Sequence, residues 1–173
     1  MSMHPEINYF KTFKGDCDCF IETGTHQGDG ITLAIQAGFT LIHSIDIEDQ
    51  IPPWYKHEMT YYTHIGDSAE KLKEILPGLE DKKIMFWLDA HSSLLEGSED
   101  NFPLEREIKV IGKFRKNKGD VILIDDYLYM THPLATGLSH TSLEYLIKQE
   151  IGWSYTISYL SNPIKKNILM AYL

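Results

Sequence analysis

The sequence predicts an α/β protein: a doubly wound, mostly parallel sheet that finishes in an antiparallel hairpin. Three observations predict it. Short apolar runs rich in β-branched and aromatic residues alternate with amphipathic helical segments along the chain, the pattern of strands joined by crossover helices. Several of those runs end in an acid, at Glu22, Asp46, Asp89 and Asp125, and the carboxyl ends of parallel strands are where such sheets bind ligands. The last two runs, about 153–160 and 167–172, are joined by Ser161-Asn-Pro-Ile-Lys-Lys166, which is too short for a crossover helix and makes them an antiparallel pair.

Taken in order, residues 4–14 read as an amphipathic lead-in bearing Ile7, Tyr9, Phe10 and Phe13. Residues 17–23 are the first strand. A glycine-rich turn, Gly24 to Gly30, leads into a helix over 29–37, with Asp29 as N-cap and Gly38 just past its end. Residues 40–46 are the second strand. Pro52 and Pro53 exclude a helix interior or a central strand. Residues 59–65 are a third strand. Asp67 and Glu70 have capping-box spacing before a helix with Ala69, Leu72, Ile75 and Leu76 on one face, and Pro77-Gly78 ends it. Residues 83–89 form a near-continuous apolar run, which suits a parallel strand buried on both faces. A loop through Phe102 contains Gly97 and is a candidate lid. Pro103 opens a helix with the stripe Leu104, Ile108 and Ile111. Residues 120–125 are a fifth buried strand, 127–139 a long loop, and Leu143, Leu146 and Ile147 mark a last helix.

The chain of 173 residues reads as one domain over 1–173. Its net charge of -9 argues against a phosphate-backbone footprint, so nucleic acid is not an expected partner. The basic cluster Lys113 to Lys118 reads as the solvated C-terminal end of a helix. Cys17 and Cys19 are too close to pair and read as reduced thiols, consistent with a cytoplasmic location. No apolar run reaches the length of a membrane span, and the N-terminal residues lack a signal pattern.

The stretch Phe20 to Asp46 is strand, glycine turn, helix, strand, with a second acid where a ribose would lie. Such a unit binds a nucleoside-containing cofactor. A dinucleotide fingerprint needs Gly or Ala where Leu33 stands, and the closing hairpin is foreign to that fold. A nicotinamide-dependent oxidoreductase is therefore the disfavoured alternative. Glu22-Thr-Gly24-Thr-His26-Gln-Gly28 instead resembles the first motif of class I S-adenosylmethionine (SAM)-dependent methyltransferases, acid-x-Gly-x-Gly-x-Gly, with His26 at the middle glycine. The resemblance covers about residues 17–173 and implies a Rossmann-like methyltransferase architecture with SAM as cofactor. It implies that Glu22, Thr23, Gly24, Thr25 and Gly28 hold the methionine and ribose portion. Asp46 would take the ribose hydroxyls, Ile47 would lie against adenine, Gly66, Asp67 and Ser68 would contact adenine, and Asp89 would border the cofactor.

Phe86-Trp-Leu-Asp89-Ala-His91 and Ile122-Leu-Ile-Asp125-Asp126-Tyr127 are similar to O-methyltransferases of the macrocin type. That resemblance implies a magnesium ion held by Asp89, Asp125 and Asp126. It also implies a small hydroxylated substrate such as a sugar. His91 suits a general base, a metal ligand or a plain loop histidine, and His91 or Asp89 is the candidate catalytic group. Trp54, Tyr55, Tyr127, Tyr129 and His132 are candidate pocket aromatics. The small chain leaves room for a second subunit to supply pocket walls. A module that binds SAM without turnover is the non-enzymatic alternative.

Overall fold

The computed structural model describes residues 6–52, 61–91, 102–131, 138–160 and 168–173. Trp54, Tyr55, His132, the candidate lid up to residue 101 and the link between the last two strands lie outside them. The described elements are α1 (Glu6–Phe13), β1 (Cys19–Thr23), α2 (Asp29–Gln36), β2 (Leu41–Asp46), β3 (Tyr61–Ile65), α3 (Ser68–Ile75), β4 (Ile84–Leu88), α4 (Leu104–Arg115), β5 (Val121–Ile124), α5 (Tyr127–Met130), α6 (His140–Glu150), β6 (Thr156–Leu160) and β7 (Ile168–Tyr172).

The strands form one sheet in the order β3-β2-β1-β4-β5-β7-β6. β1 to β5 are parallel, while β7 runs antiparallel to both β5 and β6. This is the expected doubly wound sheet with a closing hairpin. Side chains alternate across it. Ile21, Ile45, Phe86 and Ile122 face a core shared with α3, α4 and α6. Phe20, Ile42, Met85 and Leu123 face a second core shared with α1 and α2. β4 and β5 are buried at every position, which is why they read as unbroken apolar runs. On the β2–β3 edge, His64 Nε2 meets His43 Nδ1 at 3.0 Å.

Four local expectations are corrected. The N-cap of α2 is Gly28, at φ 88°, with no side-chain cap; Asp29 lies in the first turn. Leu76 leaves the α3 helix for a 3-10 turn over Leu76–Leu79, because Pro77 cannot continue an α-helix. Residues 127–130 are a single helical turn rather than loop. The basic cluster is not wholly solvated: Arg115 is 1% exposed and pairs with the buried Asp120 at 2.8 Å. Its guanidinium also donates to the Leu79 and Lys82 carbonyls. This arginine ties the end of α4 to the base of β4 and β5.

The α4–α6 contact is close because position 112 has no side chain. A Cβ at Gly112 would lie 2.7 Å from Glu150 Cβ and 2.8 Å from the Glu150 carbonyl oxygen. Gly112→Ala is expected to destabilise the fold by about 1–3 kcal/mol. A urea titration would show this as a lower midpoint at unchanged slope.

Candidate cofactor and active site

Backbone hydrogen bonds carry the strand pairing just past the strand tips. Gly24 N donates to Ile45 O, Gly66 N to Asp46 O, Asp89 N to Thr23 O and Asp125 N to Leu88 O, all at 2.8–3.0 Å. The candidate residues are therefore fixed relative to one another by the sheet itself. Gly24 sits at φ 90°, and a Cβ there would lie 2.6 Å from the Asp89 carbonyl oxygen. Glycine is needed for both the turn and the close approach.

Glu22 points to the α2 side and is 1% exposed. A Cβ at Gly30 would overlap its carboxylate, so this second glycine makes room for the acid under the first turn of α2. Ser44 Oγ donates to Glu22 Oε1 at 2.5 Å, and Thr25 Oγ1 lies 2.5 Å from Ser44 Oγ. Burial lifts the Glu22 carboxyl to about 8. The carboxylates of Asp89, Asp46 and Asp29 add to the rise, against the Ser44 hydrogen bond.

His26 occupies the left-handed region at φ 45°. Its backbone N–H donates to Asp46 Oδ2 at 2.8 Å, and Asp46 Oδ1 accepts from Glu48 N at 3.2 Å. The His26 side chain is exposed, so its presence at the middle-glycine position does not fill the turn. Ile47 is 70% exposed beside Asp46. Asp67 caps α3 by accepting from Glu70 N at 3.0 Å, and Arg106 grips both its oxygens at 3.0 and 2.8 Å. Partial burial works against the Asp67 charge, but these bonds win and hold its carboxyl below the usual range.

Beyond β4 and β5, the groups that converge are Asp89, His91 and Asp126, one ligand atom of each lying within 4.8 Å of the others. His91 Nε2 is 3.7 Å from both Asp89 Oδ1 and Asp126 Oδ2. Asp125, expected in this set, is not one of the three. It is fully buried, and its Oδ1 accepts from Asp126 N at 2.9 Å. Asp126 takes φ 46° at the start of α5, and the change of backbone region separates the directions of the two neighbouring acids. The His91 ring stacks on Phe102 at 6.3 Å and lies 5.1 Å from Tyr129. Tyr127 instead packs between His140 and Tyr159.

No protein-family model matches the chain, and no curated protein sequence matches it significantly. Solved structures do match. An S-adenosylhomocysteine (SAH)-bound methyltransferase of Podospora anserina is 12% identical across 99% of this chain and 79% of its own, at a TM-score of 0.59. A SAM-dependent methyltransferase of Archaeoglobus fulgidus is 14% identical across 96% of this chain and 90% of its own, at 0.58. An O-methyltransferase of Streptomyces achromogenes involved in tomaymycin synthesis, solved with SAM, is 11% identical across 100% and 81%, at 0.58. The fold is the class I methyltransferase fold.

Within that fold two buried polar residues near the site carry no motif signal of their own. Ser44, with Gly30 of the glycine turn, shapes the Glu22 pocket; its signal is a small polar residue in the mixed strand Leu-Ile-His-Ser-Ile-Asp. Glu107 is the second: it falls in the stripe of Leu104, Ile108 and Ile111 and is 1% exposed, so an acid on an apolar helix face is its signal.

Proposed function

We propose that the protein is a SAM-dependent methyltransferase acting on a hydroxyl of a small metabolite or sugar. One observation carries the reading: Glu22 and Asp46 sit at neighbouring strand tips and flank the glycine turn, whose amide at His26 is held by Asp46. In this reading Asp46 takes the ribose diol, Glu22 and Gly24 face the methionine portion, and Asp67 and Ser68 border adenine. SAM supplies a methyl group on a sulfonium, open to displacement by a hydroxyl oxygen. The Asp89–His91–Asp126 group follows directly from the β4 and β5 tips, next to Gly24. His91 Nε2 serves as base for the hydroxyl proton, which arrives between two carboxylates. Phe102 and Tyr129 hold the imidazole ring in place. Positioning is expected to supply most of the rate.

A divalent ion has a specific observation in its favour: two carboxylates and one imidazole are close enough to share it. The nitrogen favours manganese or zinc over magnesium, whose preferred ligands are oxygens. Bound there, an ion would occupy the His91 Nε2 lone pair and lower the pKa of a substrate hydroxyl, whose proton would then pass to the Asp89 oxygen that does not bind the ion. Turnover lost on chelation and restored by manganese is the expected result if Asp89, His91 and Asp126 hold an ion. Turnover indifferent to chelation assigns the proton to His91 alone.

The test of the whole reading is a thermal-shift comparison. SAH at about a hundred times its dissociation constant is expected to raise the melting temperature by about 5–10 °C, and NAD to leave it unchanged. A shift with NAD and none with SAH would favour the oxidoreductase. SAH binding without methyl transfer to any sugar, catechol or metabolite pool would favour a binding module.

A further inference from the structure

The two loops assigned to the cofactor leave strands that are not neighbours, since β2 lies between β1 and β3. On the sheet face opposite Glu22, a single buried cluster spans both. Thr23, at the end of β1, is 0% exposed; Ser68, at the start of α3, is 5% exposed; Glu107, on α4, is 1% exposed. The Thr23 and Ser68 hydroxyls both face the Glu107 carboxyl. None of the three completes a well-formed bond: Thr23 Oγ1, Ser68 Oγ and Glu107 Oε1 are all buried without a partner. Three such atoms at one point are unusual, because buried polar groups are nearly always paired.

The charged groups facing Glu107 are Asp67, at the N-terminus of α3, and Arg106, beside it on α4. Arg106 is engaged by both oxygens of Asp67 and is not a dedicated counter-ion for Glu107. Burial lifts the Glu107 carboxyl to about 7. Asp67 adds to the rise, while the two hydroxyls and Arg106 offset it. A carboxyl that keeps its proton can donate to one hydroxyl and accept from the other. It then joins β1 to α3 with no buried charge.

We propose that Glu107 is a positioning residue for cofactor binding: its carboxyl clamps the end of β1 to the first turn of α3 and so sets the distance between the glycine turn and the Asp67–Ser68 loop. The proposal rests on the reading that SAM spans those two loops. Ionised, the carboxylate would accept from both hydroxyls, so loss of the proton adds a buried charge without releasing the clamp. α4 carries both Glu107 and Arg106, so one helix holds the cofactor loops through the Thr23, Ser68 and Asp67 side chains together.

The experiment is SAH calorimetry on wild type, Glu107→Gln and Glu107→Ala at about pH 6 and about pH 8.5, beside thermal melts. The amide of glutamine donates and accepts as the protonated acid does. Glu107→Gln is expected to bind within about twofold of wild type at the lower pH. At the higher pH it is expected to stay within about twofold as well, because the ionised carboxyl still accepts from both hydroxyls. Glu107→Ala is expected to bind about tenfold more weakly at the lower pH. Glu22 titrates in the same window in every form, so the comparison between forms isolates Glu107. An alanine variant binding within about twofold of wild type overturns the proposal, as does a glutamine variant as weak as the alanine one. If the alanine variant does not fold, Glu107→Met decides: binding about tenfold weaker than wild type supports the proposal, and binding within about twofold overturns it. A wild type that does not bind SAH overturns the methyltransferase reading and this proposal with it, whereas wild-type binding with an indifferent alanine variant overturns this proposal alone.

Discussion

At about pH 8 the Glu22→Gln variant melts above the wild type, and at about pH 4 the two melt together. Glu22 lies 1% exposed under α2, and burial moves its carboxyl from 4.5 to about 8. Between those values the folded chain keeps a proton that the unfolded chain has lost. Stability therefore falls as pH rises through that window, and above it the full cost of a buried carboxylate is in place. The gap corresponds to on the order of 5 kcal/mol. Glutamine keeps a carbonyl to accept from Ser44 and has nothing to ionise. Glu107, lifted to about 7, produces a second and smaller fall that the Glu22 variant retains. Melts across the pH range check this: wild-type and variant curves that decline in parallel would rule out Glu22 as the origin. The same variant is expected to bind SAH more weakly above pH 8, where an ionised Glu22 would otherwise attract the cofactor's ammonium group.

Asp46→Ala is expected to weaken SAH binding by about a hundredfold, ~2.7 kcal/mol. Two losses combine. The ribose diol loses a charged acceptor, and hydrogen bonds to charged groups contribute about 1.5–3 kcal/mol each before competition from water. The glycine turn also loses the carboxylate that holds His26 N at 2.8 Å, at a residue in the left-handed region at φ 45°. Asp46→Asn keeps a neutral acceptor for that amide and is expected to lose only about tenfold. Calorimetry separates the two contributions, and unchanged affinity in Asp46→Ala would refute the ribose assignment.

Much of the fold was legible because its signals are local. The apolar runs at 84–88 and 121–124 are buried on both faces, so no polar alternation obscured them. Asp67 stands three residues before Glu70 and caps α3 as that spacing predicts. The turn from Gly24 to Gly28 announced itself through glycines that the backbone requires at φ 90° and 88°. Arg115 departs from the rule that a basic run at a helix end faces solvent, because Asp120 just beyond the helix and the Leu79 and Lys82 carbonyls, far back along the chain, draw it inward.

By itself, then, the sequence determined the order and kind of the elements, the closing hairpin and the positions of acids at strand tips, because periodicity, capping and turn chemistry act between residues a few places apart. Tertiary structure alone decided which of those acids meet. Asp125 and Asp126 are adjacent in the chain, yet one is buried and the other joins Asp89 and His91. That division follows from a left-handed backbone at Asp126 and from packing across β4, β5 and α5. It also decided that Thr23, Ser68 and Glu107, from three separate elements, share one buried point. Side-chain direction at a strand end depends on what the neighbouring strands leave open, and no spacing along the chain encodes it.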